Sequence, residues 1–391
     1  MSTAERKKLL GKSLLFFSLT FLPLMIGKLL IPMDWYSFRC WETMLDRHVC
    51  SPQHLGQNAS FFYPNASCRR TEEGDLAGRS RYAVKRYSEW ETDDLGFRNR
   101  KDSPDKKYDV VIVGDSDIVG TSLTQNDMLA PVLSKLVDGT CYSWAPDNIN
   151  GFLQDERFQR KPPYVVVMAD NQRNLRFWPV TRQLYVFRKK MMEIEREKGV
   201  TEPPSLFCKT YKKLPGPWQR YYADMLKKPW LTTHLAKLFW ARFFGRGSEG
   251  SLLNEKEKMF FFRTALDIIK NMSRHPARMD EIAEAIQRYQ QGFARKGILF
   301  IYVPIPAKES VYWELVPEKD RENLPGPAYL SALLENLRER GVPTVDLETV
   351  YRKEYQTSGK ILYQSDDSHW NPEGVKIAAE LLHKKIAELI K

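Results

Sequence analysis

Three side-chain types that cooperate in acyl transfer stand in two short strings far apart in this chain. Gly114-Asp115-Ser116 directly follows an apolar run, Val110-Val111-Ile112-Val113. Asp366-Asp367-Ser368-His369-Trp370 directly precedes a C-terminal amphipathic stretch. A serine hydroxyl becomes a nucleophile when a histidine takes its proton, and the histidine needs a carboxylate on its other ring nitrogen. Only six histidines occur in 391 residues, so few others are available as the base. Ser116 is the candidate nucleophile and His369 the candidate base. Asp366 and Asp367 both qualify as the orienting acid, one at Asp-x-x-His spacing and the other at Asp-x-His.

The reaction also needs donors for the oxyanion. The third apolar run ends in Asp170-Asn171-Gln172-Arg173, where Asn171 has a side-chain amide to offer and Arg173 is a candidate substrate contact. After the second run, Asp147-Asn148-Ile149-Asn150-Gly151 places the Gly151 N–H as a further candidate. The chain has no HExxH, no phosphate-binding Gly-rich loop, no GxGxxG and no carboxylate–histidine metal cluster. Neither a cofactor nor a metal is expected.

These residues must be positioned by a scaffold. Short apolar runs at 108–113, 140–144, 164–168, 298–303 and 344–347 are rich in β-branched residues and lie between helix-like stretches. That is the pattern of a parallel sheet covered on both faces. Helices are expected at 280–295, 328–340 and 372–390, the last opened by Asn371-Pro372-Glu373. In such α/β sheets ligands bind beyond the carboxyl ends of the strands. Ser116 falls there, and so does His369. Residues 180–280 break the alternation. They are basic and aromatic and contain Pro-Gly-Pro and Gly-Arg-Gly, which suggests a helical insertion.

The N-terminus reads as membrane-directed. Arg6, Lys7, Lys8 and Lys12 precede residues 13–33, a mostly apolar stretch whose one charge is Lys28. Lys28 can snorkel, so the stretch approaches the roughly 20 residues that span a bilayer. The positive flank puts residues 1–12 in the cytoplasm and the rest of the chain outside it. Residues 34–105 form a polar, irregular lead-in arm, and 106–391 the main domain. Cys40, Cys50 and Cys68 cluster just past the span, where a bridge is permitted, whereas Cys141 sits in an apolar run and reads as a buried thiol. The net charge of +11 is dispersed and accompanied by no nucleic-acid motif, so it fits a surface beside an anionic membrane rather than a nucleic-acid binder.

Gly114-Asp115-Ser116 with Gly120 resembles the first block of SGNH (GDSL-like) hydrolases, and Asp366/Asp367 with His369 resembles their last block. Asp367-Ser368-His369-Trp370-Asn371-Pro372-Glu373-Gly374 is similar to the Asp-x-His-Trp signature of AlgJ/AlgX-type polysaccharide O-acetyltransferases. The segment from Val303 to Lys308, followed by Tyr312 and Pro317, is similar to those proteins too. The tether and Gly96-Phe97-Arg98-Asn99 resemble membrane-anchored members of the DltD type. The resemblance covers about 90–180 and 296–391. It implies an α/β, three-layer flavodoxin-like sandwich with a mainly parallel sheet. It also implies transfer of an acyl group, usually acetyl, through a serine ester to a hydroxyl of an extracytoplasmic polymer. An MBOAT-type membrane acyltransferase is the implied partner. The resemblance favours Asp367 as the acid. The Gly-x-Asn-Asp of the family's third block is absent, and Asp170-Asn171-Gln172-Arg173 stands in its place.

Overall fold

Val110-Val111-Ile112-Val113 has neither charge nor turn former, so as a strand it presents branched apolar side chains on both faces and needs cover on each. In the computed structural model, which describes residues 67–77, 80–101, 106–146, 149–177, 250–275 and 277–390 besides Gly11, it forms a strand buried along its whole length. The described elements begin with β1 (Ser67–Glu72), β2 (Arg86–Glu91) and β3 (Val110–Gly114), followed by the one-turn helix α1 (Ser116–Val119), α2 (Leu129–Val137) and β4 (Cys141–Trp144). Then come α3 (Ile149–Gln154), α4 (Glu156–Arg160) and β5 (Val165–Asn171). After the undescribed residues 178–249 follow β6 (Ser251–Asn254), β7 (Met259–Phe262), α5 (Arg263–Arg274), α6 (Ala277–Ala294) and β8 (Leu299–Ile305). The chain closes with α7 (Lys308–Val311), α8 (Glu318–Arg321), α9 (Tyr329–Glu339), α10 (Leu347–Ser358) and α11 (Pro372–Ile390).

The central sheet has the order β4-β3-β5-β8, and every pairing is parallel. The chain steps from β3 to β4 on one side and then to β5 on the other. The carboxyl end of β3 is therefore a topological switch point, where loops diverge and leave a crevice. Ser116 begins the helix that leaves that point. Helices α2 and α11 pack on each other, as do α6 and α9. In α6, Met279, Ile282, Ala283, Ile286 and Phe293 recur at helical spacing and are buried. In α11, Val375, Ala378, Ala379, Leu382 and Ile386 do the same. Each fully buried Val, Leu, Ile or Phe contributes about 1.5–3 kcal/mol of apolar transfer energy, so the elements around Ser116 are held by the central core.

Three expectations need adjustment. Residues 344–347 do not form a fifth strand. Thr344 makes one parallel bridge to Tyr302, and Asp346 then caps α10 by accepting from Thr349 N. A capping carboxylate three residues into an apolar run ends the strand before it propagates. Residues 251–274, inside the expected insertion, form a β6–β7 hairpin and α5, whose Leu266, Ile268, Ile269 and Met272 join the central core. The lead-in arm contains an antiparallel β1–β2 pair where irregular chain was expected. The remainder of the insertion, the span at 13–33, Cys40, Cys50, Cys208 and the Cys68 side chain lie outside the described residues. No helix among the described residues is long and apolar enough to cross a membrane.

The arm docks on the sheet through Gly96-Phe97-Arg98-Asn99. Phe97 stacks on Trp144 with ring centroids 4.2 Å apart. Asn99 exchanges a pair of hydrogen bonds with the backbone of Ser143, donating Nδ2–H to its carbonyl at 3.0 Å and accepting its N–H at 2.8 Å. That pairing satisfies the open edge of β4 as a neighbouring strand would. The buried Arg98 guanidinium donates to the carbonyls of Val119, Gly120 and Leu123 at 2.9, 2.6 and 2.5 Å. It thereby pins the loop that follows Ser116.

Candidate active site

Gly114 sets the turn. A Cβ there would come within 2.5 Å of the Ala169 carbonyl oxygen and 2.4 Å of Ile118 Cγ1, so no larger residue fits without displacement. Asp115 follows and caps α1 by accepting Asp117 N at 3.1 Å. Its second oxygen accepts Asn171 N at 3.1 Å and Asn174 Nδ2 at 2.5 Å, tying the end of β5 to the turn that carries Ser116. Burial, then the neighbouring Asp117 charge, pushes the Asp115 carboxyl up to about 6, against the pull of those hydrogen bonds and Arg173. Ser116 then occupies the first helical position, where the backbone N–H has no intrahelical acceptor.

The C-terminal string reaches the same place. Trp370 is fully buried and donates Nε1–H to the Asp117 carbonyl at 3.2 Å. Asn371 accepts Gly374 N at 3.0 Å and so starts α11. Between these anchors, His369 Nε2 lies 2.8 Å from Ser116 Oγ, and His369 Nδ1 lies 2.5 Å from Asp367 Oδ1. With Nδ1 protonated toward the carboxylate, Nε2 carries the lone pair that accepts the serine proton. Asp367 Oδ1 also accepts His369 N at 3.0 Å, and its Oδ2 accepts Ser122 Oγ–H at 2.9 Å. Burial alone would lower the imidazole's proton affinity. The charge and hydrogen bond of Asp367, aided by Asp117 and Asp75, outweigh it, and the net direction is upward.

Asp366 turns away from the imidazole. Its carboxylate accepts Gly74 N at 3.0 Å and Val84 N at 2.8 Å and pairs with the Arg86 guanidinium. The arm packs so tightly here that a Cβ on Gly74 would sit 2.1 Å from the Asp366 carbonyl oxygen. Beneath the loop, the buried Lys308 ammonium donates to the carbonyls of Gln364, Ser365 and Asp367 at 2.5, 3.0 and 3.1 Å. Burial draws this lysine down to about 8, while Glu309, Asp367, Asp366 and Asp75 oppose the shift.

The structure brings Ser116, His369 and Asp367 into one relay. Asn171 is buried at the end of β5, with Nδ2 donating to Asp117 Oδ2 at 2.6 Å. Its Oδ1 accepts both N and Nε of Arg173, at 3.0 and 3.1 Å. Arg173 also lies over the Phe262 ring, 5.5 Å from its centroid. Gly151 is a buried residue within α3. Cys141, expected as a buried thiol, is partly exposed and unbridged, and burial followed by the Asp109 charge pushes its thiol up to about 12. Asp75, Asp367 and His369 gather possible metal-ligand atoms within 4.8 Å of one another. Those atoms are already engaged: Nδ1 with Asp367, and both Asp75 oxygens with Ser368. The grouping is a hydrogen-bonded relay rather than an open metal centre.

Sequence reasoning assigned no role to four residues around the relay: Asp75, Arg86, Ser122 and Lys308. Lys308 closes the Val303–Lys308 string of the resemblance and was legible to that extent. The other three are single polar residues in the arm or in a turn, with no spacing that announces them.

Comparison with known proteins bears on the second half of this site. Residues 259–391 match the family model described as SGNH hydrolase-like domain, acetyltransferase AlgX. The matched segment includes Lys308, Asp367 and His369 but neither Ser116 nor the arm. No curated protein and no solved structure matches the chain. Residues 259–391 thus agree, in an α/β setting with a parallel sheet, with the SGNH hydrolase-like domain of AlgX-type acetyltransferases, the family to which the Asp-Ser-His-Trp string pointed.

Proposed function

We propose that this protein is a membrane-anchored, extracytoplasmic O-acyltransferase that moves an acyl group, acetyl first among candidates, onto a hydroxyl of a polysaccharide through an ester on Ser116. The observation that carries the proposal is the continuous contact Ser116 Oγ–His369 Nε2 and His369 Nδ1–Asp367 Oδ1, at 2.8 and 2.5 Å. The fold reading that accompanies it is a flavodoxin-like three-layer SGNH sandwich, tethered by residues 13–33. An MBOAT-type membrane acyltransferase is the proposed source of the acyl group.

The reaction follows from the relay. As Ser116 Oγ attacks the acyl carbonyl, its proton passes to His369 Nε2, and the Asp367 carboxylate stabilises the resulting imidazolium. The tetrahedral oxyanion needs donors. The Ser116 N–H at the helix start, the second Nδ2–H of Asn171, the Arg173 guanidinium and the Gly151 N–H are the candidates. Collapse expels the donor's leaving group, which takes the proton from His369, and leaves the serine ester. An acceptor hydroxyl then gives its proton to His369 and attacks the ester carbonyl; collapse breaks the bond to Ser116 Oγ, which takes that proton back from His369 and is restored as the free hydroxyl.

Water in place of the sugar makes the same site an esterase, so the second step separates the two readings. Full-length protein given p-nitrophenyl acetate and an oligosaccharide acceptor tests them. Acetylated oligosaccharide, seen by mass spectrometry in excess over free acetate, supports the transferase. Acetate alone, at a rate unaffected by acceptor, supports the esterase. Release of p-nitrophenol no faster than in buffer supports neither and leaves a non-catalytic, polymer- or partner-binding accessory protein. A reporter fused after Lys391 tests localisation and should be active only outside the cytoplasm.

A further inference from the structure

The loop that carries the acid and the base is gripped from outside the family-matched segment. Asp75 lies in the arm, past the end of β1. Its Oδ1 accepts Ser368 N at 2.7 Å and its Oδ2 accepts Ser368 Oγ–H at 2.7 Å. Its own N–H donates to Asp367 Oδ2 at 3.1 Å. Ser368 is the residue between Asp367 and His369. One arm residue therefore holds the acid's outer oxygen and also both polar groups of the residue that links acid to base. The turn is itself anchored, because Leu76 N and Ala77 N donate to the Asp366 carbonyl at 3.1 and 3.0 Å.

The contact has a chemical consequence for the imidazole. Ser368 Oγ lies 3.5 Å from His369 Nδ1. A hydroxyl proton directed at Nδ1 would favour the tautomer with its lone pair there, and Nε2 would then bear a proton and could not accept one from Ser116. Asp75 draws that hydroxyl proton to itself, which leaves Nδ1–H for Asp367. We infer that Asp75 is a positioning residue of this site: it fixes the Asp367–His369 geometry, secures the base's tautomer and adds negative charge beside the ring.

The charges facing His369 come from three elements: Asp367 on its own loop, Asp117 on α1 and Asp75 on the arm. The Lys308 ammonium sits behind the loop on the Asp367 carbonyl. Arg86 is paired with Asp366. Removing the Asp75 charge should therefore lower the imidazole's proton affinity, the direction opposite to its present contribution.

The inference rests on the acyl-transfer reading only for its kinetic arm. Asp75→Asn in the full-length protein keeps the shape and one acceptor but removes the charge. Ser368→Ala keeps the charge but removes the hydroxyl. The His369 ring resonances, followed by NMR across pH, report proton affinity without needing activity. The expected result is a titration midpoint at lower pH in Asp75→Asn and one near wild type in Ser368→Ala. In Asp75→Asn kcat should fall roughly tenfold with KM changed less than about twofold, and in Ser368→Ala, which loses the competing hydroxyl but keeps the Asp75 charge and its backbone contacts, kcat should fall less. A wild-type midpoint in Asp75→Asn, or a loss of kcat in Ser368→Ala as large as in Asp75→Asn, overturns the inference. If Asp75→Asn does not fold, the ring nitrogen shifts of wild-type His369 decide alone: the Nδ1–H tautomer is expected, and the Nε2–H tautomer overturns the inference. Displacement of the wild-type His369 resonances by micromolar Zn²⁺ or Ca²⁺ also overturns it, since the same atoms would then be ligands. A wild type that transfers and hydrolyses nothing defeats the acyl-transfer reading while leaving the titration test intact.

Discussion

Ser116 and His369 are separated by 253 positions in the chain and by 2.8 Å between Oγ and Nε2. The sheet order explains the meeting. Ser116 leaves β3 at the switch point, and the loop before α11 is anchored at the same place through Trp370 on the Asp117 carbonyl. Arm, sheet and C-terminal loop all converge there, so the site depends on contacts that span nearly the whole described chain.

In the proposed mechanism the imidazole sets the pH dependence. His369 is shifted upward from 6.5 because Asp367, Asp117 and Asp75 outweigh the opposing effect of burial. The base works only when neutral, so the acid limb of kcat/KM should have its midpoint above 6.5. A group raised on folding contributes stability that is full below its unfolded value and is lost as pH rises through the folded one. The protonated pair should therefore add stability on the acid side of neutrality while activity is lost there. Asp367→Asn should move the acid limb to lower pH and reduce kcat by on the order of 10³–10⁴. An unmoved limb in a pH–rate profile would separate His369 from the rate.

The Arg86–Asp366 pair should prove structural. Asp366 is wholly buried and Arg86 is partly buried. Removing one member leaves a buried charge without its partner, which costs about 3–5 kcal/mol. Arg86→Ala should therefore lower the unfolding midpoint in denaturant markedly, and Arg86→Met combined with Asp366→Leu should recover part of the loss. Thermal or urea unfolding followed by circular dichroism checks both. Unchanged stability in Arg86→Ala would remove the arm from the account of loop stability.

Lys308 carries a pH signature of its own. Its ammonium is drawn down from the ordinary 10.5 to about 8, chiefly by burial. The associated stability is full above 10.5 and falls away as pH drops through 8. Compared with Lys308→Met, the wild type should gain stability as pH rises from 8 to 10.5. At neutral pH the variant leaves three loop carbonyls without their donor, at a cost of about 1–3 kcal/mol. Parallel denaturation curves for the two proteins across that range would contradict the assigned burial.

The four parallel strands were legible in the sequence because each is built on a short, uncharged, mostly apolar run between helix-like stretches, although Ser143 lies within β4 and β5 runs on into Asp170 and Asn171. Their observed ends differ from the expected ones by at most three residues. The run at 344–347 misled for a local reason, since Asp346 prefers to cap α10. The arm was opaque. Ser67–Glu72 and Arg86–Glu91 mix charged and polar residues without alternation, and the segment is held by contacts to Asp366 and Asp367 nearly 300 positions away. No local pattern encodes such a contact. The choice between Asp366 and Asp367 was open on spacing alone. The structure turns Asp367 toward the imidazole and Asp366 toward Arg86.

The central claim is that Ser116 carries the acyl group. It is tested most directly by mixing full-length protein with an activated acetyl ester, quenching in acid within the first turnover, and mapping the adduct by peptide mass spectrometry. One acetyl group is expected on Ser116, released by hydroxylamine, absent from Ser116→Ala and slow to form in His369→Ala. Acetyl transfer or ester hydrolysis that persists undiminished in Ser116→Ala would contradict it.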